Sequence, residues 1–150
     1  RVGVAWIYSA CGDCPFCRAG NENLCPEFRA TGRDAHGGYA EYMTVPEAFA
    51  HPIPPVFSDA EAAPLLCAGL IGYRSYRLVE ECGTIGLYGF GAAAHIIIQV
   101  ARHRGQRIFA FTREGDVEAQ QFALELGAEW AGDSTLDAPE DLEGAVRELV

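Results

Sequence analysis

TIGLYGFGAAAHIIIQVARH, residues 84 to 103, changes period part-way along. TIGLYG (84–89) is a short apolar strand ending on glycine. AAAHIIIQVARH (92–103) is apolar nearly all round, as a helix packed on a sheet should be. Between them, Gly89-Phe90-Gly91-Ala92-Ala93-Ala94 matches the glycine fingerprint of a dinucleotide-binding turn, with alanine in the third place. Gly89 permits the tight turn, Gly91 lets the backbone approach a diphosphate, and Ala94 is small enough for helix and strand to lie close. A diphosphate would sit at the helix start, where Ala92 and Ala93 present free N–H groups and the dipole favours anions. The bland alternative is a glycine-rich turn in an unrelated α/β fold.

Downstream the order supports the first reading. RIFAF (107–111) is a second buried strand. DVEAQQFALEL (116–126) sets Ala119, Phe122, Ala123 and Leu126 on one helical stripe, with Gly127 as its C-cap. AEWAG (128–132) reads as a third strand. Pro139 opens a last helix with Leu142, Ala145 and Leu149 facing inward. This alternation builds a parallel sheet with helical crossovers. At the end of the second strand, where an acidic residue would bond a ribose 2′-hydroxyl, stand Thr112 and Arg113. A hydroxyl and a guanidinium suit a 2′-phosphate, so NADP(H) is favoured over NAD(H).

Upstream the character differs. Residues 1 to 56 are strand and loop: RVGVAWI (1–7) and GGYAEYMTV (37–45) read as strands, and the proline-rich HPIPPVF (51–57) must be extended or turning. Residues 57 to 83 read as connecting helices. Ser58 and Glu61 form a capping-box pattern, Pro64 bends or ends that helix, and residues 68–81 continue as another with Leu70, Tyr73, Leu78 and Val79 on one face. Gly69 and Gly72 count against that second helix. The remaining 84 to 150 form the strand–helix unit.

CGDCPFCRAGNENLC (11–25) holds four of the six cysteines. Cys11, Cys14 and Cys17 on a tight loop can aim three sulfurs at one centre, Gly12 and Gly20 let it turn, and Cys25 can close a tetrahedral set. Four thiolates leave no open position, so such a site is structural. Free buried cysteines are the plain alternative. An iron–sulfur or other metal-binding electron-carrier module is the sharper one, because Cys25-Pro26 partly matches a ferredoxin run, although with seven residues in its last gap instead of three.

Bulk properties narrow the classes. The chain has 150 residues, 49% hydrophobic, with net charge −10, and a mean hydropathy of +0.02 that is globular. The acidity argues against nucleic acid as a partner. No apolar run reaches the roughly 18 residues of a membrane span. The sequence also shows no secretory leader. Crowded cysteines beside an ample core favour metal thiolates in a reducing cytoplasm over disulfides.

Taken in order, the cysteine lobe, GGYAEYMTVPE, APLLCAG and the glycine turn resemble the zinc-dependent medium-chain alcohol dehydrogenases across nearly the whole chain. The resemblance implies an α/β chain: part of a GroES-like β domain with a zinc lobe, then the first half of a Rossmann doubly wound parallel sheet. It implies Cys11, Cys14, Cys17 and Cys25 as structural zinc ligands and Cys67 as a catalytic zinc ligand. Read alone, Cys67 is a small core residue, and Cys82 matches nothing. The resemblance further implies hydride transfer between a small alcohol or aldehyde and a nicotinamide, in a homo-oligomeric parent. Ile71 stands where the family often has threonine. The family's other catalytic zinc ligands and its proton relay fall outside these residues, so the expectation is an internal segment, inactive by itself. A zinc-less relative is a further possibility, against which Cys67 argues. The histidines His36, His51, His95 and His103 read as satisfied or exposed side chains, with His36 in a polar loop able to approach a substrate.

Overall fold

The computed structural model describes residues 1–135, so the helix expected from Pro139 lies outside the described residues. The chain parts into two compact units between Cys67 and Ala68.

In the first unit, strand β1 (Val2–Val4) pairs antiparallel with β4 (Ala50–Pro52), while β2 (Ile7–Ser9) pairs with β3 (Arg29–Ala30) across a register shift. The single strand expected over 1–7 is therefore two, because the chain changes partner at Trp6. The Trp6 ring lies over Phe28, with centroids 4.8 Å apart, and its carbonyl takes the Thr31 N–H. Residues 37–45 form no strand. Tyr39 and Tyr42 are exposed, and among the described residues no strand lies alongside to take the backbone N–H and C=O groups. A β-propensity run without a ladder partner stays irregular. Two short helices, α1 (Pro15–Arg18) and α2 (Asp59–Ala62), complete the unit. The Ser58–Glu61 capping box forms as expected, and α2 tightens into a 3-10 turn (Ala63–Leu66) at Pro64.

The second unit opens with α3 (Ala68–Tyr76) and continues as β5 (Thr84–Tyr88), α4 (Ala92–His103), β6 (Arg107–Thr112), α5 (Val117–Leu126) and β7 (Trp130–Asp133). The sheet is parallel in the order β5-β6-β7, the start of a Rossmann fold. Alternation along the strands separates its faces. Ile85, Ile108 and Ala110 lie on one face and pack with Ile97, Ile98 and Ala101 of α4 and Ala123 of α5. The opposite face is aromatic. Tyr88 and Phe111 stack at 4.3 Å, and both rings approach the space above Gly86, while Trp130 covers Gly132. Phe122, expected on the inner stripe of α5, is 40% exposed, and Ala123 is the residue that reaches the core.

The helix α3 corrects the sequence reading twice. It ends at Tyr76, five residues short of the expected 81, and its buried residues are Gly69, Gly72 and Tyr76. Leu70, Tyr73 and Leu78 are exposed instead. Gly72, which weakens helix propensity, is what admits α4: a Cβ there would stand 2.8 Å from Ile97 Cγ1 and 3.3 Å from the Ala93 carbonyl oxygen. Beyond α3, Gln106 secures the connector by donating to the carbonyls of Val79 and Cys82 and accepting from the Tyr76 hydroxyl at 2.5 Å.

The crowding decides the outcome of Gly72→Ala. Helix propensity favours alanine by about 1 kcal/mol, but overpacking against Ile97 and the α4 backbone costs about 1–3 kcal/mol. A net loss of stability is expected, read as a lower denaturation midpoint. A raised midpoint would contradict the packing described.

Candidate functional site

The cysteine lobe is built from turns. Gly12 takes φ +82 after Cys11, Cys14 caps α1 with Pro15 at its first position, and Gly20 takes φ +70 beyond the helix. A 3-10 turn over Glu22–Leu24 then brings Cys25 back. The four sulfurs lie within 4.8 Å of one another, with Cys11 3.6 Å from Cys25 and 3.9 Å from Cys17. Tetrahedral ligand arms of about 2.3 Å require sulfurs about 3.8 Å apart, so the set fits a single ion. A multi-iron cluster distributes its thiolates over more than one iron and spreads the set wider. Backbone N–H groups point at the sulfurs: Cys14 to Cys11 at 3.4 Å, Cys17 to Cys14 at 3.5 Å, and Cys11 to Cys25 at 3.5 Å. Such donors favour thiolates. The sequence spacing carried no sign of them. Without a cation, burial above all, with the neighbouring sulfurs of Cys14, Cys25 and Cys11, pushes the Cys17 thiol up to about 12.

Cys67 is not part of this group. It is exposed, at the end of the 3-10 turn, with its N–H on the Pro64 carbonyl. Cys82 is likewise exposed and free, and Ile71 is 53% exposed on α3.

At the carboxyl end of β5, Gly89 has φ +86, a conformation that disfavours any side chain, and its N–H bonds the Phe111 carbonyl at 2.8 Å. Gly91 is extended, at φ −103 and ψ −167, and a Cβ there would meet only open space. It is the N-cap of α4 and offers no capping side chain, so the first-turn N–H groups of Ala92, Ala93 and Ala94 face outward without side-chain partners. Such an end attracts an anion. His95, in the same turn, places Nε2 3.1 Å from the Phe90 carbonyl oxygen.

At the end of β6, Thr112 and Arg113 part ways. Thr112 is 2% exposed, and its hydroxyl lies 3.2 Å from the Gly132 carbonyl oxygen and accepts from Gln120 Nε2 at 3.0 Å. The Arg113 side chain is 91% exposed, and it pairs with Asp116 at 3.2 Å. Asp116 also accepts the Ala119 N–H to cap α5. Removing the Thr112 hydroxyl by Thr112→Val should therefore cost about 1 kcal/mol of stability through the orphaned Gly132 and Gln120 groups. Urea denaturation measures this, and an unchanged midpoint would place the hydroxyl outside the fold's internal bonding.

Comparison with known proteins follows the same division. Residues 1–55 match the alcohol dehydrogenase GroES-like domain. The chain is 53% identical over 148 residues to the protein named probable alcohol dehydrogenase AdhA of Mycobacterium tuberculosis, covering 97% of this chain and 42% of that protein. Among solved structures, an Escherichia coli protein titled a short chain alcohol dehydrogenase, complexed with NADH, superposes with a TM-score of 0.78 at 29% identity, covering 90% of this chain and 40% of that one. A CAD from Helicobacter pylori complexed with NADP(H) gives a TM-score of 0.75 at 25% identity, covering 87% and 40%. The chain thus spans about two fifths of the length of the relatives it matches. With the GroES-like match over the first unit, the parallel sheet in the second and 53% identity across nearly every residue, this chain belongs to the medium-chain alcohol dehydrogenase family.

Proposed function

We propose that this chain is a segment of a zinc-dependent alcohol dehydrogenase that moves a hydride between a small alcohol or aldehyde and a nicotinamide cofactor, NADP(H) in preference to NAD(H). The observation that carries this reading is the Gly89–Gly91 turn, which ends a parallel strand and opens a helix with unpartnered N–H groups. Gly89, Gly91, Ala92, Ala93 and Ala94 bind the diphosphate. Arg113 carries the charge for a 2′-phosphate, and Thr112, committed to Gly132 and Gln120, holds the strand end from which Arg113 projects. Similar solved structures hold NADH in one case and NADP(H) in another, which supports the cofactor class.

The lobe of Cys11, Cys14, Cys17 and Cys25 holds a structural zinc, supported by sulfur separations near those of a thiolate tetrahedron. Cys67 is one ligand of a catalytic zinc completed by residues beyond these 150, so the segment by itself is inactive. A bound zinc would supply polarisation of the substrate oxygen and a bound nicotinamide the hydride acceptor or donor. The residues of this chain fix the cofactor and supply one thiolate. The intact protein is read as a cytoplasmic homo-oligomer, with no nucleic-acid or membrane partner. None of the six cysteines is in a disulfide, which supports the reducing compartment, and no described helix is long and apolar enough to cross a membrane.

Two measurements test the reading. Elemental analysis of the 150-residue chain, purified without added metal, should find one zinc and no iron, and Cys14→Ser should lose the zinc. Iron with acid-labile sulfide would instead indicate an electron carrier. In the intact protein, Arg113→Ala should raise KM for NADPH about tenfold and leave that for NADH within about twofold. An equal effect on both would remove Arg113 from 2′-phosphate recognition.

A further inference from the structure

The glycine turn is fastened by a residue that the fingerprint does not include. His95 reaches back five residues along the chain, with Nε2 3.1 Å from the Phe90 carbonyl oxygen. A carbonyl only accepts, so Nε2 carries the proton in this contact. The same residue's backbone N–H bonds the Gly91 carbonyl at 3.0 Å, the first bond of α4. Two successive carbonyls of the turn are thus tied to one residue. A trans peptide directs its C=O and the following N–H to opposite sides. Fastening the Phe90 and Gly91 carbonyls toward His95 therefore turns the N–H groups of Gly91 and Ala92 away from it, out of the helix start. Adjacent N–H groups held outward form an anion-binding concavity.

The ring has a fixed seat. Phe90 lies 4.8 Å from it, and Phe122 of α5 meets it edge-on at 4.9 Å and 87°. Phe122 closes the cluster at 6.3 Å from Phe90. This gives the partly exposed Phe122 a role outside the core: it supports the imidazole from the helix that follows Arg113. Packing alone would account for three rings in contact. It does not account for a polar nitrogen aimed at the Phe90 carbonyl of the turn.

We propose that His95 is a positioning residue for the dinucleotide diphosphate, holding the Gly91 and Ala92 N–H groups in their binding orientation. The proposal rests on the dinucleotide reading above, and its test separates the two. In the intact protein, His95→Leu keeps an apolar side chain between Phe90 and Phe122 but removes the donor, while His95→Gln restores a donor on a flexible arm. Binding is measured with NADPH and with adenosine 2′-monophosphate, which lacks the diphosphate. His95→Leu is expected to weaken NADPH about tenfold and adenosine 2′-monophosphate by no more than about twofold, with His95→Gln recovering most of the loss. Unchanged NADPH affinity in His95→Leu would overturn the proposal. So would an equal loss for both probes without recovery in His95→Gln, which is the signature of packing. Wild-type protein that binds neither NADPH nor NADH would overturn the dinucleotide reading itself, and the proposal with it.

Discussion

Ile97, Ile98 and Ala101 of α4 lie in one buried cluster with Ile85, Ile108 and Ala110 of the sheet, and Ile98 and Ala101 have no exposure at all. This contact sets where α4 begins. A helix pinned along its apolar face cannot slide or rotate against the strands, so its first turn is held at the carboxyl end of β5. The glycine turn, its outward N–H groups and the tie from His95 all depend on that placement. Gly72 extends the same constraint to α3, because only a missing side chain lets that helix lie against Ile97 and Ala93.

The first unit is held differently. Its buried apolar residues are small, namely Ala5, Cys25, Ala30 and Ala62. Turns and hydrogen bonds carry much of its shape, including those from backbone N–H groups to sulfur. The Asp34 carboxylate takes the Ala30 N–H at 2.7 Å and pairs with Arg33. These contacts, led by the Arg33 hydrogen bonds, hold its pKa down at about 2. A unit so poor in apolar burial would gain from an ion that tied four chain positions together.

Most of the second unit was legible in the sequence because its signals are local and dense. A strand, a glycine turn and an apolar helix follow one another without interruption, and α4 spans the residues that its pattern marked. The gathering of Cys11, Cys14, Cys17 and Cys25 was legible from spacing alone. What escaped depends on partners far along the chain. Whether 37–45 forms a strand is decided by a neighbour, not by its tyrosines. The inward face of α3 was misjudged because apolar content ranks glycine below leucine, whereas close helix packing favours the smaller residue. Thr112 and Arg113 looked equivalent as recognition groups. Only the positions of Gly132 and Gln120 show that one faces inward and the other outward.

The aromatic face of the sheet links residues that a list of substitutions would treat as separate. The Trp130 indole occupies the volume that any side chain at Gly132 would need, and Tyr88 and Phe111 crowd the same kind of space above Gly86. Each glycine is therefore coupled through packing to its covering ring. A Cβ at Gly132 would displace the Trp130 indole, whereas one at Gly86 would meet Tyr88 at 3.3 Å and Phe111 at 3.4 Å and ask those rings only to give slightly. Positions 130 and 132 should drift through sequence space as a pair, with strongly non-additive effects on stability.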